Sequence, residues 1–237
     1  MTESSSDTTY SGRDNLEAMK KATRYNNFLL ALIREHSVGR QALDHGAGAG
    51  TFAKPVSEGE MNVLCMEPDD TLRAELAASG LDVAASLEEI PDGSVDYAYT
   101  LNVLEHIEDD RKAISDLYRC LKPGGRFLVY VPAFQILYSQ MDDHVGHFRR
   151  YRRKPLIQVL QSVGFEVSKG RYVDSLGFLA TLVYKLVGDR SGSVSPGSVA
   201  VYDSVIFPLS RVIDFLSAGS FGKNLAIVAT KPSNAPD

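Results

Sequence analysis

Asp44-His45-Gly46-Ala47-Gly48-Ala49-Gly50 is the stretch on which the fold turns. Gln41-Ala42-Leu43 before it reads as the end of a short strand, and the glycines read as the turn that leaves it. Glycine permits positive φ and lets a ligand approach the main chain with no Cβ in the way. The open N–H groups at the start of a following helix favour an anionic group. The next apolar run, Met61-Asn62-Val63-Leu64-Cys65-Met66, closes on Glu67, where a second parallel strand would end. A carboxylate there can accept hydrogen bonds from both hydroxyls of a ribose. Together these features describe a pocket for a nucleoside-containing cofactor.

A glycine turn alone does not separate the enzymes that use one. The dehydrogenase fingerprint wants glycine three residues after its second glycine, and Thr51 stands there. The chain has Asp-x-Gly-x-Gly-x-Gly instead. Val95-Asp96-Tyr97-Ala98-Tyr99-Thr100, Asn102-Val103-Leu104-Glu105-His106-Ile107 and Leu121-Lys122-Pro123-Gly124-Gly125-Arg126 follow in that order. This ordered set resembles the class I S-adenosylmethionine-dependent methyltransferases, in particular the branch acting mostly on small molecules and lipids. The resemblance covers roughly residues 40 to 170. It implies an α/β, Rossmann-like fold: a seven-stranded, mostly parallel sheet with helices on both faces. It also implies S-adenosylmethionine as cofactor and a small-molecule or lipid-like methyl acceptor. A nicotinamide-dependent oxidoreductase and a non-catalytic cofactor-binding member of the fold are the alternatives.

At 237 residues the chain suits one α/β domain. A hydrophobic content of 44% and a charged content of 23% are ordinary for a soluble globular protein. The net charge of −5 argues against a general nucleic-acid binder. Cys65 and Cys120 fit no metal spacing and read as reduced and structural. The Ser/Thr-rich start lacks an apolar signal core, so a cytoplasmic protein is the expectation.

The expected organisation is a disordered tail over residues 1–13 and a single domain over 14–237. Within the domain, a helical lid covers 15–36 and an apolar insertion covers 174–217. Strands are expected at Leu81 to Ala85, Val95 to Thr100, Phe127 to Val131, Phe165 to Val167 and Asn224 to Ala229. Ile114, Leu117, Tyr118 and Leu121 fall at i, i+3, i+4 and i+7, one buried helical stripe, with Pro123-Gly124-Gly125 as its stop. Gly188 to Ser198 reads as a loop. From Val199 to Ser217, Asp203, Ser210, Arg211, Asp214 and Ser217 share one helical face, and Pro208 should kink or split that helix. No segment there reaches the ~18–20 apolar residues of a membrane span. The insertion reads as helices packed on the sheet, a lid over the substrate, a dimer surface or a peripheral membrane contact.

By resemblance, Gly46, Ala47, Gly48 and Gly50 would hold the methionine part of the cofactor, and Asp44 would orient the turn or meet the ammonium. Glu67 would hold the ribose, with Met66 and Pro68 flanking the adenine. Ser86 and Leu87 stand where relatives usually carry an acid for the adenine amino group. Asn102 and Val103 would face the reacting centre, and Tyr25 resembles tyrosines that close over the cofactor. His45 departs from the small apolar residue usual at its place. The acceptor side is expected from Met141 to Lys154, with His144, His147 and Tyr151 as catalytic candidates and Arg149 or Arg150 gripping an anionic group. Two histidines and an aspartate in that loop are not a closed ligand set, so no metal is expected.

Overall fold

The computed structural model describes residues 21–59, 61–187 and 196–233. The expected tail and residues 15–20 of the expected lid helix lie outside them. The elements run α1 (Thr23–His36), β1 (Gln41–His45), α2 (Ala53–Ser57), β2 (Asn62–Met66), α3 (Asp70–Ala78), β3 (Asp82–Ala84) and β4 (Val95–Leu101). The second half runs α4 (Asp110–Cys120), β5 (Leu121–Pro132), α5 (Gln140–His144), α6 (Arg153–Val163) and β6 (Glu166–Val173). It finishes with α7 (Ser175–Val187), α8 (Pro196–Val201), α9 (Phe207–Leu216) and β7 (Asn224–Thr230).

Seven strands form one sheet in the order β3-β2-β1-β4-β5-β7-β6. All pairings up to β4–β5 are parallel, and β7 runs antiparallel between β5 and β6. The chain winds outward from β1 through β2 to β3, then returns to pair β4 on the other side of β1. That reversal opens a crevice at the carboxyl ends of β1 and β4, the usual ligand position in such sheets.

Alternation along the central strands divides the core between the two faces. Leu43, Ala98, Phe127 and Val129 pack with Ile114, Leu117, Leu156 and Leu160 of α4 and α6. Ala42, Tyr97, Tyr99, Leu128 and Tyr130 pack with Leu29, Leu32 and Ile33 of α1 and with Val56 of α2. The predicted stripe of α4 is buried at Ile114 and Leu117, and Asp109 caps the helix through the Lys112 N–H at 2.9 Å. Cys65 and Cys120 are buried free thiols.

The region before β7 departs from expectation in detail. β6 extends to Val173, well past the predicted Val167, because the whole of β7 lies open for it to pair. Helix begins again at Pro196, inside the predicted loop, whose residues 188–195 are outside the described set. The helical run is divided beside Pro208, which occupies the first turn of α9, with a π-helical segment (Tyr202–Ile206) forming the join to α8. The polarity of this helical run is also reversed relative to ordinary packing. Asp203, Ser210 and Asp214 are buried, while Val205, Leu209, Val212, Phe215 and Leu216 are exposed, Phe215 at 85% and Leu216 at 76%.

Candidate active site

The glycine turn caps the carboxyl end of β1 at the crevice. Gly46 and Ala47 donate to Met66 O at 2.9 and 3.1 Å, and Gly50 donates to Ala47 O at 2.9 Å. Gly46, Gly48 and Gly50 all have positive φ, 78°, 54° and 76°. Their reasons differ. A Cβ on Gly46 would lie 2.5 Å from Val103 Cγ2, and one on Gly50 would lie 2.8 Å from Leu76 Cδ2. A Cβ on Gly48 would project into open space, with no heavy atom within 4 Å. Two glycines therefore let neighbouring elements close in, and Gly48 keeps a cradle clear. Val103 meets the turn itself, packed on Gly46.

Glu67 follows β2 and is buried. Its carboxylate accepts from Gly48 N at 2.8 Å and from Asp69 N at 3.0 Å, which ties the acid to the cradle. Its own N–H donates to Ala84 O at 3.0 Å, bringing the end of β3 alongside. Pro68 follows it, and Ser86 and Leu87 lie just past β3, with Leu87 buried in the core. Asp44 is buried at the foot of the turn. Burial pushes its carboxyl up to about 7, the Glu67 charge adds to the rise, and the Tyr99 hydroxyl opposes it. His45 is buried with Nδ1 3.1 Å from Thr100 Oγ1, and burial pushes its imidazole down to about 4. It is a neutral packing group.

Across the crevice, Asn102 leaves β4 with φ 55°, a conformation asparagine tolerates better than most residues. Its N–H donates to Tyr130 O at 2.8 Å. Tyr25 from α1 is buried, its ring 6.4 Å from that of Tyr130 and 5.3 Å from that of Phe207. Burial pushes its hydroxyl up to about 12, against opposing contacts with Tyr130 and Asn102. α1 is held in this place by Asp203, which accepts from Arg24 N at 3.0 Å and Tyr25 N at 2.9 Å. The helix cap thus comes from the insertion, some 180 residues away in sequence.

The loop after β5 folds over the segment after β4. His147 Nδ1 is 2.7 Å from Asp142 Oδ1, and its Nε2 is 3.9 Å from Glu105 Oε1. Arg150 bonds Asp142 through Nε at 2.8 Å and Nη2 at 3.0 Å. Burial by itself would raise Asp142, but the bonds from His147 and Arg150 outweigh it and hold the carboxyl at about 2. The His106 and His147 rings meet edge to face at 4.6 Å. Burial and the neighbouring His147 push His106 down to about 4. Glu105 is 0% exposed, and among the described residues neither of its oxygens meets a hydrogen-bond donor. Burial pushes it up to about 8.

The other loop candidates are not among these converging side chains. His144 is exposed at the end of α5. Tyr151 donates to Leu104 O at 3.1 Å and to Asp110 Oδ2 at 2.7 Å, and burial drives its hydroxyl well above the ordinary tyrosine value. It is a strut between two loops. Arg149 pairs with Asp110 at 3.1 Å and with Glu108 O at 2.6 Å. Arg150, expected to grip an anionic group, is paired within the loop to Asp142. Glu105 is the member of the cluster that sequence reading did not single out. Its signal was an acid between apolar Leu104 and the motif histidine, at a position the fold buries.

Residues 43–129 match the family described as a methyltransferase domain. A probable S-adenosylmethionine-dependent methyltransferase of Mycolicibacterium smegmatis is 32% identical over 176 residues, covering 70% of this chain and 66% of that protein. The chain spans about half the length of other curated relatives it matches, 51% and 45% for two mycobacterial methyltransferases. Among solved structures, an S-adenosylmethionine-dependent methyltransferase from Archaeoglobus fulgidus superposes with TM-score 0.61 at 20% identity, covering 92% of this chain and 99% of that one. A phosphoethanolamine N-methyltransferase of Haemonchus contortus, bound to S-adenosylhomocysteine, gives 0.64 at 16% identity, covering 98% of this chain and 61% of that one. With the glycine cradle, its acid and this sheet order, the chain belongs to the class I S-adenosylmethionine-dependent methyltransferases.

Proposed function

We propose that the protein transfers the methyl group of S-adenosylmethionine to a small-molecule or lipid-like acceptor. The cofactor's methionine part would sit over Gly46, Ala47, Gly48 and Gly50, its ammonium toward Asp44, and its ribose on Glu67. Pro68, Ser86 and Leu87 would border the adenine, and Asn102, Val103 and Tyr25 would border the methionine and sulfonium. Occupying this place would require Glu67 to exchange its bond from Gly48 for the ribose hydroxyls. Methyl transfer is an in-line displacement, and alignment of acceptor, methyl and sulfur supplies up to ~7–11 kcal/mol. The acceptor would face Glu105, His106 and His147, the buried polar cluster just past Asn102.

The observation that carries the acceptor class is the outward apolar face of the insertion: Val205, Leu209, Val212, Phe215 and Leu216, with Leu179 and Val183 of α7 also exposed. Such a surface suits delivery of a hydrophobic substrate or contact with a lipid interface. No helix among the described residues is long and apolar enough to cross a membrane. The test is incubation with methyl-labelled S-adenosylmethionine and a lipid extract of the source cells, followed by phase partition. Label in the organic phase is expected. Label confined to the aqueous or protein fraction would refute the lipid-like acceptor.

A further inference from the structure

We propose that Glu105, His106 and His147 bind one divalent first-row transition cation, which holds a hydroxyl-bearing acceptor before the methyl donor. The inference rests on the methyltransferase reading above and adds to it a metal and an acceptor chemistry.

Three observations converge on the cluster. One ligand atom from each of the three side chains lies within 4.8 Å of those of the other two. Tetrahedral ligands about 2.1 Å from zinc stand about 3.4 Å apart, so a cation would draw these side chains inward by about an ångström. The carboxylate of Glu105 is fully buried, and among the described residues no donor reaches either oxygen. Buried acids in native proteins are hydrogen-bonded; Glu105 instead has the His147 ring 3.9 Å away, and a ligand bringing positive charge between them would account for it.

The third observation is the way the histidines are held. A metal-binding imidazole generally gives its far N–H to a carboxylate or a backbone carbonyl, which fixes the ring and leaves the other nitrogen's lone pair for the metal. His147 has this arrangement, with Nδ1 2.7 Å from Asp142 and Nε2 turned to Glu105. Asp142 is itself fixed by Nε and Nη2 of Arg150 and by Ser139 N at 2.9 Å. His106 is hydrogen-bonded by the backbone of Val145 and Gly146. Asp142 takes Nε and Nη2 of Arg150, and the Arg150 charge also reaches Glu105, where it favours the ionised carboxylate that a cation needs.

Two imidazoles and a carboxylate suit zinc, manganese or iron(II) better than magnesium or calcium. Three protein ligands leave coordination positions free for an outside oxygen. A hydroxyl bound there becomes more acidic and gives its proton to water. The oxygen then bonds the methyl carbon as the carbon–sulfur bond breaks, and that electron pair stays on sulfur as S-adenosylhomocysteine leaves. In this scheme His147 is a ligand and takes no proton.

Cobalt(II) is the probe, because its visible absorption reports nitrogen and oxygen ligation. Chelator-treated, dialysed protein is titrated with cobalt chloride, and S-adenosylhomocysteine is titrated in parallel by calorimetry. Saturation at one cobalt per chain is expected, with binding at least about tenfold weaker in Glu105→Gln and in His147→Gln. His144→Gln, in the same loop but outside the cluster, should bind as the parent does. Acetohydroxamate, a small oxygen chelator, should shift the cobalt bands. Loss of cobalt saturation in the parent, or binding indifferent to both cluster variants, overturns the site. Bands unmoved by acetohydroxamate overturn the acceptor role. Homocysteine-product binding without cobalt binding refutes the metal while the methyltransferase reading stands, and cobalt binding without the product does the reverse.

Discussion

Asp44 shows how burial sets a residue's behaviour on binding. Its carboxyl is raised to about 7 in the ligand-free fold, against an ordinary value of 3.8. A raised acid favours the fold while protonated, so its contribution is complete below about pH 4 and is lost as pH rises through 7. Ligand binding runs the other way, because an ammonium needs the ionised form. The affinity for S-adenosylhomocysteine should therefore rise about tenfold from pH 6 to pH 8, with the proton released on binding. Asp44→Asn should flatten that profile. Calorimetry across the range reads both slopes, and an equally steep profile in the variant would remove Asp44 from the ammonium site. The neighbouring His45 makes no such contribution in this range, since burial holds it neutral.

At the scale of elements, the informative contact is the capping of α1 by Asp203. Its side chain takes two N–H groups of the first turn, and α1 has no cap of its own from Ala22. Asp203→Ala should cost about 0.5–2 kcal/mol, the range for lost N-caps, and should fray the first turn first. Hydrogen exchange would show faster amides over residues 23–27 while β1 and β4 keep their protection. Unchanged exchange there would mean that ring packing of Tyr25 on Phe207 and Tyr130 secures the helix instead. The strands β1 to β4 were legible in the sequence because they are short apolar runs between glycine and proline signals. Glu67 and the glycines were legible because turn chemistry is local. Asp203 as a cap and Glu105 as a partner of His147 were not, since each contact is made by chain segments that only the fold brings together.

The whole molecule carries an inverted insertion, which periodicity predicts as a stripe without saying which way it faces. The polar residues of the π-helical segment and α9 turn inward beside Val199 and Phe207 because backbone N–H groups need them there. Asp203 serves α1, Asp214 accepts from Asp174 N and Ser175 N at 2.9 Å each, and Ser210 accepts from Leu176 N at 2.9 Å. Satisfying buried donors outweighs the exposure of a few aliphatic groups, which costs about 25 cal/mol per Å² left in water. The consequence is a sticky exterior. Phe215→Ser with Leu216→Ser should leave the melting temperature within a few degrees of the parent and abolish cosedimentation with phosphatidylcholine vesicles. Undiminished cosedimentation would place any lipid contact elsewhere.

The tether from Asp203 to α1 also bears on which segments can move independently. The helix that carries Tyr25 is joined to the insertion through Asp203, with Phe207 and Arg211 packed beside the same face. Neither can swing away alone without giving up two hydrogen bonds. Displacing α1 from the crevice must therefore carry the insertion with it or break both bonds.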